Sequence, residues 1–327
     1  AAALATAVGK APLLAVHRVA PVLPILSRRG LAVPFITAEQ MLAWPQGAGM
    51  DLAGLAAAYE SARGGIAPAE VSVRMAAIVR ILRRSVAQGL AGTRFDDRIL
   101  GFQSGAFQAA AERRALLDAG LLNRMIACVT ALMEVKSSMG VIVAAPTAGS
   151  CGALPGAVIG AAEGLGLEET EMTRAMLAAG MIGVFVAAHA TFAAEVCGCQ
   201  AECGAGSGMA AAALVTLAGG SARQAVDAAS MAMQNVLGMV CDPVANRVEV
   251  PCLGRNVLAA ANALACANMA LAGFDAVVPL DEVIDTMLQV GRSLPAELRC
   301  TAKGGLSITP AARRIEARLN ASGRGSH

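Results

Sequence analysis

Three long stretches of the sequence contain no Asp, Glu, Lys or Arg, and they restrict how the chain can fold. They cover 175–194, 203–222 and 256–274. Each has the length of a membrane-spanning helix. Their residues are mainly Ala, Gly, Ser, Asn, Thr and Met, and no belt of Trp or Tyr flanks them. We therefore interpret them as buried helices of a soluble core and predict no membrane partner.

The composition favours helices over sheets. Aromatic residues make up only 3% of the chain, whereas Ala and Gly are abundant. Small residues suit closely packed helices, and sheets rely more on aromatic and β-branched side chains. We predict a mainly α fold, a single all-helical domain. The net charge of +2 includes no basic run interleaved with aromatics, so we expect no nucleic acid partner.

Several helices carry signals of their own in the sequence. Arginines alternate with an apolar stripe in one segment, acidic residues mark a helix start in another, and a Ser–Gln capping box marks a third. Four helices are predicted. The first covers 71–88, and the second begins at 168–171 and runs toward Glu195. The third begins at Ser221 and runs through Ala232, and the fourth begins at Pro310.

The nine cysteines all lie after residue 127. An odd count in a long chain without a secretory signal argues against a disulfide framework, and it fits a reduced cytoplasm. Cys128 and Cys266 lie inside apolar helical segments, where a buried thiol without a ligand role is the simpler interpretation.

The remaining cysteines include a group in turns rich in Gly or Pro. Three lie within 195–204, Cys241 precedes Asp-Pro, and Cys252 follows Pro. Thiolates that converge from separate segments are what an iron–sulfur cluster needs. A structural zinc site and simple burial are alternatives, although neither paired C-x2-C motifs nor His ligands are available for zinc.

The residues able to transfer protons are few, because the chain has only three Lys and three His. His189 lies ten residues before Cys199, Lys136 precedes a Pro/Gly-rich loop at 141–156, and Lys303 precedes Gly-Gly. We consider these three as candidate catalytic residues, with His189 as the expected proton acceptor or as a contact that fixes the substrate. A core imidazole and solvated surface lysines are the alternative interpretations.

Four motifs together are similar to the α chain of bacterial iron–sulfur L-serine dehydratases. They have the same order and spacing as in that family, and the similarity extends from about residue 51 to 318. The motifs are APTAGSCG at 145–152, GCQAECG at 198–204, CDPVANRVEVPCLGRN at 241–256 and TAKGGLSITP at 301–310.

This resemblance implies that Cys199, Cys241 and Cys252 bind a [4Fe-4S] cluster and leave the fourth iron open to substrate. Such an iron is a Lewis acid that activates the β-hydroxyl of serine as a leaving group. Elimination then gives an enamine, which hydrolyses to a 2-keto acid and ammonia. No pyridoxal phosphate is expected.

The matched positions also imply a substrate shell. The loop from Thr147 to Ser150 offers N–H donors to the substrate carboxylate, and Arg255 adds positive charge. Cys300 is a candidate fourth ligand that caps the open iron until substrate displaces it. The expected substrate-binding residues are Thr147, Gly149, Ser150, Arg255, Asn256, Gly304 and Gly305.

The extent of the similarity predicts an N-terminal extension at 1–50, an α-like catalytic domain at 51–318 and a C-terminal tail at 319–327. In this family the α domain works with a β domain, and we expect none within residues 1–327. A β-type chain or a second copy of this chain is therefore a candidate partner. We expect a cytoplasmic enzyme of amino acid degradation and gluconeogenesis.

The sequence departs from the family in places that bear on substrate. At 189–194 this chain has HATFAA, where the family usually has N-A-S-I-S-G. At 102–107 it has FQSGAF in place of a stretch of Ser, Gly and Asp. At position 300 it has Cys where the family usually has Glu. The substrate is therefore serine or a close β-substituted amino acid. Alternatives are a cysteine desulfidase, another hydroxy amino acid dehydratase, and a non-catalytic iron–sulfur redox or sensor protein.

Overall fold

The computed structural model describes residue 22 and residues 24–323, and helices connected by loops account for its secondary structure. No β-strand occurs in this part of the chain, which confirms the predicted mainly α fold. The helices are α1 Ala38–Leu42, α2 Leu52–Gly64, α3 Pro68–Ala91, α4 Gln103–Glu112, α5 Leu121–Ser137, α6 Ala153–Leu165, α7 Glu169–His189, α8 Ala194–Cys197, α9 Ala205–Leu217, α10 Ala222–Gln234, α11 Cys252–Leu271, α12 Leu280–Ser293 and α13 Pro310–Gly323.

The start signals read from the sequence are present in the structure. Ser221 and Gln224 form the expected capping box before α10, and α13 begins at Pro310. Glu168 and Glu171 form a second capping box before α7. These side chains satisfy amide groups that have no partner within the helix.

The prediction that the long helix runs toward Glu195 is wrong. Helix α7 ends at His189, and Ala190 leaves helical geometry with φ −137° and ψ −138°. The hydroxyl of Thr191 then accepts a hydrogen bond from the amide of Ala193 at 3.1 Å. This local bond stabilises a turn before α8, because Thr side chains compete with helical backbone hydrogen bonding.

Helix α9 lies at the centre of the core and packs against α6, α7, α10 and α11. Its residues from Ala210 to Ala213 have no exposed surface. Small side chains also allow close helix crossings elsewhere: a Cβ added at Gly156 would lie 2.6 Å from the backbone nitrogen of Val129 on α5. The uncharged stretches at 175–194 and 203–222 thus lie largely in a tightly packed core, as expected, whereas 256–274 has an exposed face that includes Leu258, Asn268 and Phe274.

One helix of the described part, α7, has the length and hydropathy of a membrane span. Its most apolar window has a mean hydropathy of 1.4, and 67% of that window is buried inside the protein. Such burial is typical of a core helix, which is the interpretation drawn from its composition.

Residues before position 50 also contribute to this core. Phe35, Ala38 and Met41 are buried in the same hydrophobic cluster as α7 and α9. The carboxylate of Asp281 on α12 accepts hydrogen bonds from the amides of Ala38 and Glu39 at the start of α1. The division into an extension, a catalytic domain and a tail stays a prediction.

Candidate active site

Loops from distant parts of the chain bring the cysteines together. Cys199 lies between α8 and the π-helical turn Gln200–Gly204, and Cys252 is the first residue of α11. The amide of Cys241 donates to the carbonyl of Leu298 at 2.8 Å, and the amide of Cys300 donates to the carbonyl of Cys241 at 2.8 Å. This backbone pairing places Cys300 beside Cys241.

The thiols of this group are close and electrically coupled. Cys199 Sγ lies 3.6 Å from Cys203 Sγ, and hydrogen bonding from the thiols of Cys203 and Cys241 lowers the pKa of Cys199 well below its usual value. The same contact with Cys199, followed by burial, raises the pKa of Cys241. Burial, and after it the charge of Cys199, raises the pKa of Cys252 to about 12. Cys199 is thus the thiol that loses its proton most readily, and the thiolate is the form that binds metals.

Cys203 is a neighbour that the sequence analysis left out of the ligand set. Its side chain is 1% exposed and also lies 3.7 Å from the Asn256 Nδ2 atom. The C-x3-C spacing with Cys199 was the available signal, since residues four apart share one face of a helical turn.

The arrangement of these thiols distinguishes between two kinds of metal centre. Within residues 24–323, no three His, Cys, Asp or Glu side chains are grouped to hold a single metal ion. A cubane cluster has different needs, because each thiolate binds a separate iron at a separate corner. The buried thiols come from three separate segments and are not grouped around one ion, so they fit such a cluster better than they fit a single zinc.

Asn256 fixes the loop before α6 to the first turn of α11. Its Oδ1 accepts from the amides of Gly152 and Ala153 at 3.1 and 2.9 Å. Its Nδ2 donates to the carbonyls of Gly149 and Cys252 at 3.0 and 2.8 Å. Since the side chain is fully buried and these contacts use both of its polar atoms, its clearest role is to hold the loop.

The loop itself connects to the cysteine turn through Glu202. Thr147 Oγ1 donates to Glu202 Oε1 at 2.6 Å and accepts from the amide of Ser150 at 3.2 Å. Burial raises the pKa of the Glu202 carboxyl to about 7, the Thr147 bond opposes the shift, and the charge of Cys199 adds to it. Glu202 was absent from the predicted site, although it stands inside the GCQAECG motif.

Lys136 approaches the same site from the last turn of α5. Its Nζ donates to the carbonyl of Val248 at 2.6 Å. Burial lowers the pKa of its ammonium group, and nearby groups that include Cys252 and Glu202 oppose that shift. Of the three predicted catalytic residues, Lys136 is therefore the one placed within electrostatic reach of the thiols.

Arg255 and Gly305 meet at Asp242. One guanidinium nitrogen of Arg255 lies 2.7 Å from Asp242 Oδ1, and another donates to the carbonyl of Val240 at 2.8 Å. Asp242 Oδ2 accepts from the amide of Leu306 at 2.8 Å. Gly305 has φ +56°, and a Cβ there would collide with the Asp242 carboxylate, so the turn requires glycine. This network attaches the 301–310 motif to the segment that carries Cys241.

Comparison with known proteins identifies the family. The family model described as "Serine dehydratase alpha chain" matches residues 38–307. This chain belongs to the serine dehydratase alpha chain family. The resemblance inferred from the four motifs is thereby confirmed.

Relatives named as L-serine dehydratases cover most of the length of this chain. It is 40% identical over 246 residues to the "Probable L-serine dehydratase, alpha chain" of Bacillus subtilis, which covers 75% of this chain and 82% of that protein. It is 38% identical to the "L-serine dehydratase, alpha chain" of Peptoniphilus asaccharolyticus, with 75% and 85% covered. Against "L-serine dehydratase 1" of Escherichia coli it is 34% identical, with 84% of this chain and 62% of that protein covered.

The two other predicted catalytic residues of this family member have different surroundings. His189 Nε2 lies 3.0 Å from the carbonyl oxygen of Ile36, and no hydrogen bond or ion pair among the described residues joins it to the cysteines. Lys303 is exposed, and its backbone neighbour Gly304 is buried against Glu297. Their catalytic roles stay predictions.

Proposed function

We propose that this chain removes water from L-serine, or an equivalent group from a close β-substituted amino acid, to give a 2-keto acid and ammonia. The observation that carries the proposal is the convergence of Cys199, Cys241 and Cys252 in a buried site next to the loop at 147–150. Family membership supports it, since the relatives compared above are named L-serine dehydratases.

Cys199, Cys241 and Cys252 would hold a [4Fe-4S] cluster. When bound, the cluster would supply a Lewis-acidic iron that activates the leaving group at the β-carbon. Activation at that carbon makes pyridoxal phosphate unnecessary. Cys300 is the proposed fourth ligand of the resting site, since its amide bonds Cys241 and its thiol contributes to the raised pKa of Cys241. Its φ of +59°, unusual for a residue with a side chain, shows that the turn is held by its surroundings.

The chain's own residues would position the substrate. The amide of Gly149 and the positive charge of Arg255 suit the substrate carboxylate, and Ser150, whose amide donates to Thr147, shapes the loop around it. Lys136 is the proposed acceptor of the Cα proton, because burial favours its neutral form and only a neutral amine accepts a proton. His189 and Lys303 are the alternative bases.

A β-type chain is the proposed partner, with a second copy of this chain as the alternative. The names of the Bacillus subtilis and Peptoniphilus asaccharolyticus relatives as alpha chains support this view. We further propose a cytoplasmic role in amino acid degradation that feeds gluconeogenesis.

The experiment is anaerobic reconstitution with iron and sulfide, followed by a screen of β-substituted amino acids. Pyruvate and ammonia from L-serine are expected, and a faster reaction with L-cysteine or another hydroxy amino acid would reassign the substrate. The position of Cys300 beside Cys241 favours one rival, a non-catalytic iron–sulfur protein with four thiolate ligands. A fully loaded cluster that eliminates nothing, with or without a β-type chain, would support that rival.

A further inference from the structure

The carboxylate of Glu202 lies between the 147–150 loop and the cysteines. Its Oε1 atom accepts from Thr147 Oγ1 at 2.6 Å. A Cβ added at Gly149 would lie 2.8 Å from Oε1 and 3.2 Å from Oε2. The carboxylate is therefore packed against the backbone of the loop that we assign to the substrate carboxylate, and any side chain at position 149 would displace it.

One oxygen of this carboxylate is free for a ligand. Oε1 is held by Thr147, and no hydrogen bond to Oε2 is found among the described residues. Lys136 is near but gives its hydrogen bond to Val248 and forms no ion pair with Glu202. Oε2 is not among the fully enclosed atoms that lack a partner, so water or a ligand can reach it, and the ionised carboxylate needs such a donor or cation there.

The charges around Glu202 reinforce this requirement. Its negative charge acts on the thiols of Cys252 and Cys300. A positive group that entered this space would meet several negative or ionisable neighbours at once. Lys136 and Arg255 are the cations already near this site, and neither forms an ion pair with Glu202, so this carboxylate is placed to pair with a cation that enters.

A substrate amino acid brings such a cation. Its carboxylate has partners in the Gly149 amide and Arg255, but nothing in the site described so far recognises its ammonium group. We propose that Glu202 binds the α-ammonium group of the substrate and thereby selects amino acids over the corresponding hydroxy acids. This inference rests on the proposed function, since it takes an amino acid as the substrate.

Two ligands that cannot undergo β-elimination test the proposal directly. L-Alanine and L-lactate differ only in the ammonium or hydroxyl group on Cα, and neither has a leaving group. Their affinities would be measured by calorimetry on anaerobically reconstituted protein of equal iron content. The wild type should prefer L-alanine, and Glu202→Gln should reduce that preference about 10- to 100-fold, the range of a charge-assisted hydrogen bond. Affinity for L-lactate should change little, because Gln still accepts from Thr147.

Glu195→Gln is the matched control. It removes a neighbouring negative charge from an exposed side chain on α8 and should leave the alanine-to-lactate ratio within about 3-fold. Glu202→Asp keeps the charge on a shorter side chain, so its ratio should fall between those of the wild type and Glu202→Gln. If Glu202→Gln does not hold the cluster, the Asp variant provides the same comparison.

Failure of this inference and failure of the proposed function give different results. A wild type that binds L-alanine no better than L-lactate, or a Glu202→Gln variant that keeps the wild-type ratio, overturns the role of Glu202. If elimination from L-serine persists in such an experiment, the proposed function stands without it. If the ratio collapses as expected but no amino acid undergoes elimination, Glu202 remains an ammonium site and the proposed reaction is wrong.

Discussion

Asn256 offers the sharpest test of how the site is held together. Replacing it with Ala removes four hydrogen bonds and leaves the backbone groups of Gly149, Gly152, Ala153 and Cys252 without that partner. A hydrogen bond whose partner stays buried is worth about 1 kcal/mol or more. We therefore expect Asn256→Ala to lower the free energy of unfolding by about 3–5 kcal/mol, a large effect for one substitution.

The assay is urea unfolding of the iron-free protein, followed by circular dichroism. Asn268→Ala is the matched control, because Asn268 lies on the same helix with an exposed side chain, and the change should stay within about 0.5 kcal/mol. Asn256→Asp keeps the acceptor atom but loses the donor, so it should also be strongly destabilised. An Asn256→Ala protein as stable as the control, with only substrate affinity reduced, would refute the structural role and restore Asn256 as a substrate ligand.

Three other predictions follow from the packing and the titrating groups. Gly156→Ala should lower the free energy of unfolding by about 1–3 kcal/mol in thermal melts, because its Cβ would collide with the α5 backbone. Gly180→Ala, with open space around it, should raise that free energy by about 0.5–1 kcal/mol. Equal effects of the two changes would contradict the close packing of α6 against α5. Burial raises the pKa of Glu202 to about 7 from 4.5, so the folded iron-free protein disfavours its ionised form. Glu202→Gln should therefore gain stability relative to wild type as pH rises from about 4.5 to about 7, and a pH-independent difference in urea unfolding would argue against that burial. Cys300→Ala should speed the loss of visible cluster absorbance in air, and an unchanged rate would remove Cys300 from the fourth-ligand role.

The local elements were predictable because their signals are local. The capping box at Ser221 and the Thr-Pro start of α13 depend on residues within one turn, and both were found where expected. The end of α7 was missed because Ala190 and Phe192 continue the apolar pattern. The change of direction comes from the Thr191 hydroxyl and from packing, which periodicity does not report.

The residues of the site could be predicted only where they belong to a recognisable sequence motif. The family resemblance singled out Cys199, Cys241 and Cys252, and the structure places them in one region. Glu202 could not be ranked above other acidic residues, since its partner Thr147 is 55 residues away and its burial depends on the fold. The contacts of Asn256 and Arg255 with distant backbone groups could not be predicted either, because such hydrogen bonds cannot be read from spacing.

The central claim is that three cysteines hold one [4Fe-4S] cluster. Cys199→Ser, Cys241→Ser and Cys252→Ser would each be reconstituted anaerobically beside Cys128→Ser, whose thiol is buried on α5 outside this group. Iron content and the visible charge-transfer band are the measurements. We expect the Cys128 variant to load like wild type and each of the other three to lose the cluster. Wild-type iron and absorbance in any of those three would contradict the ligand assignment for that residue.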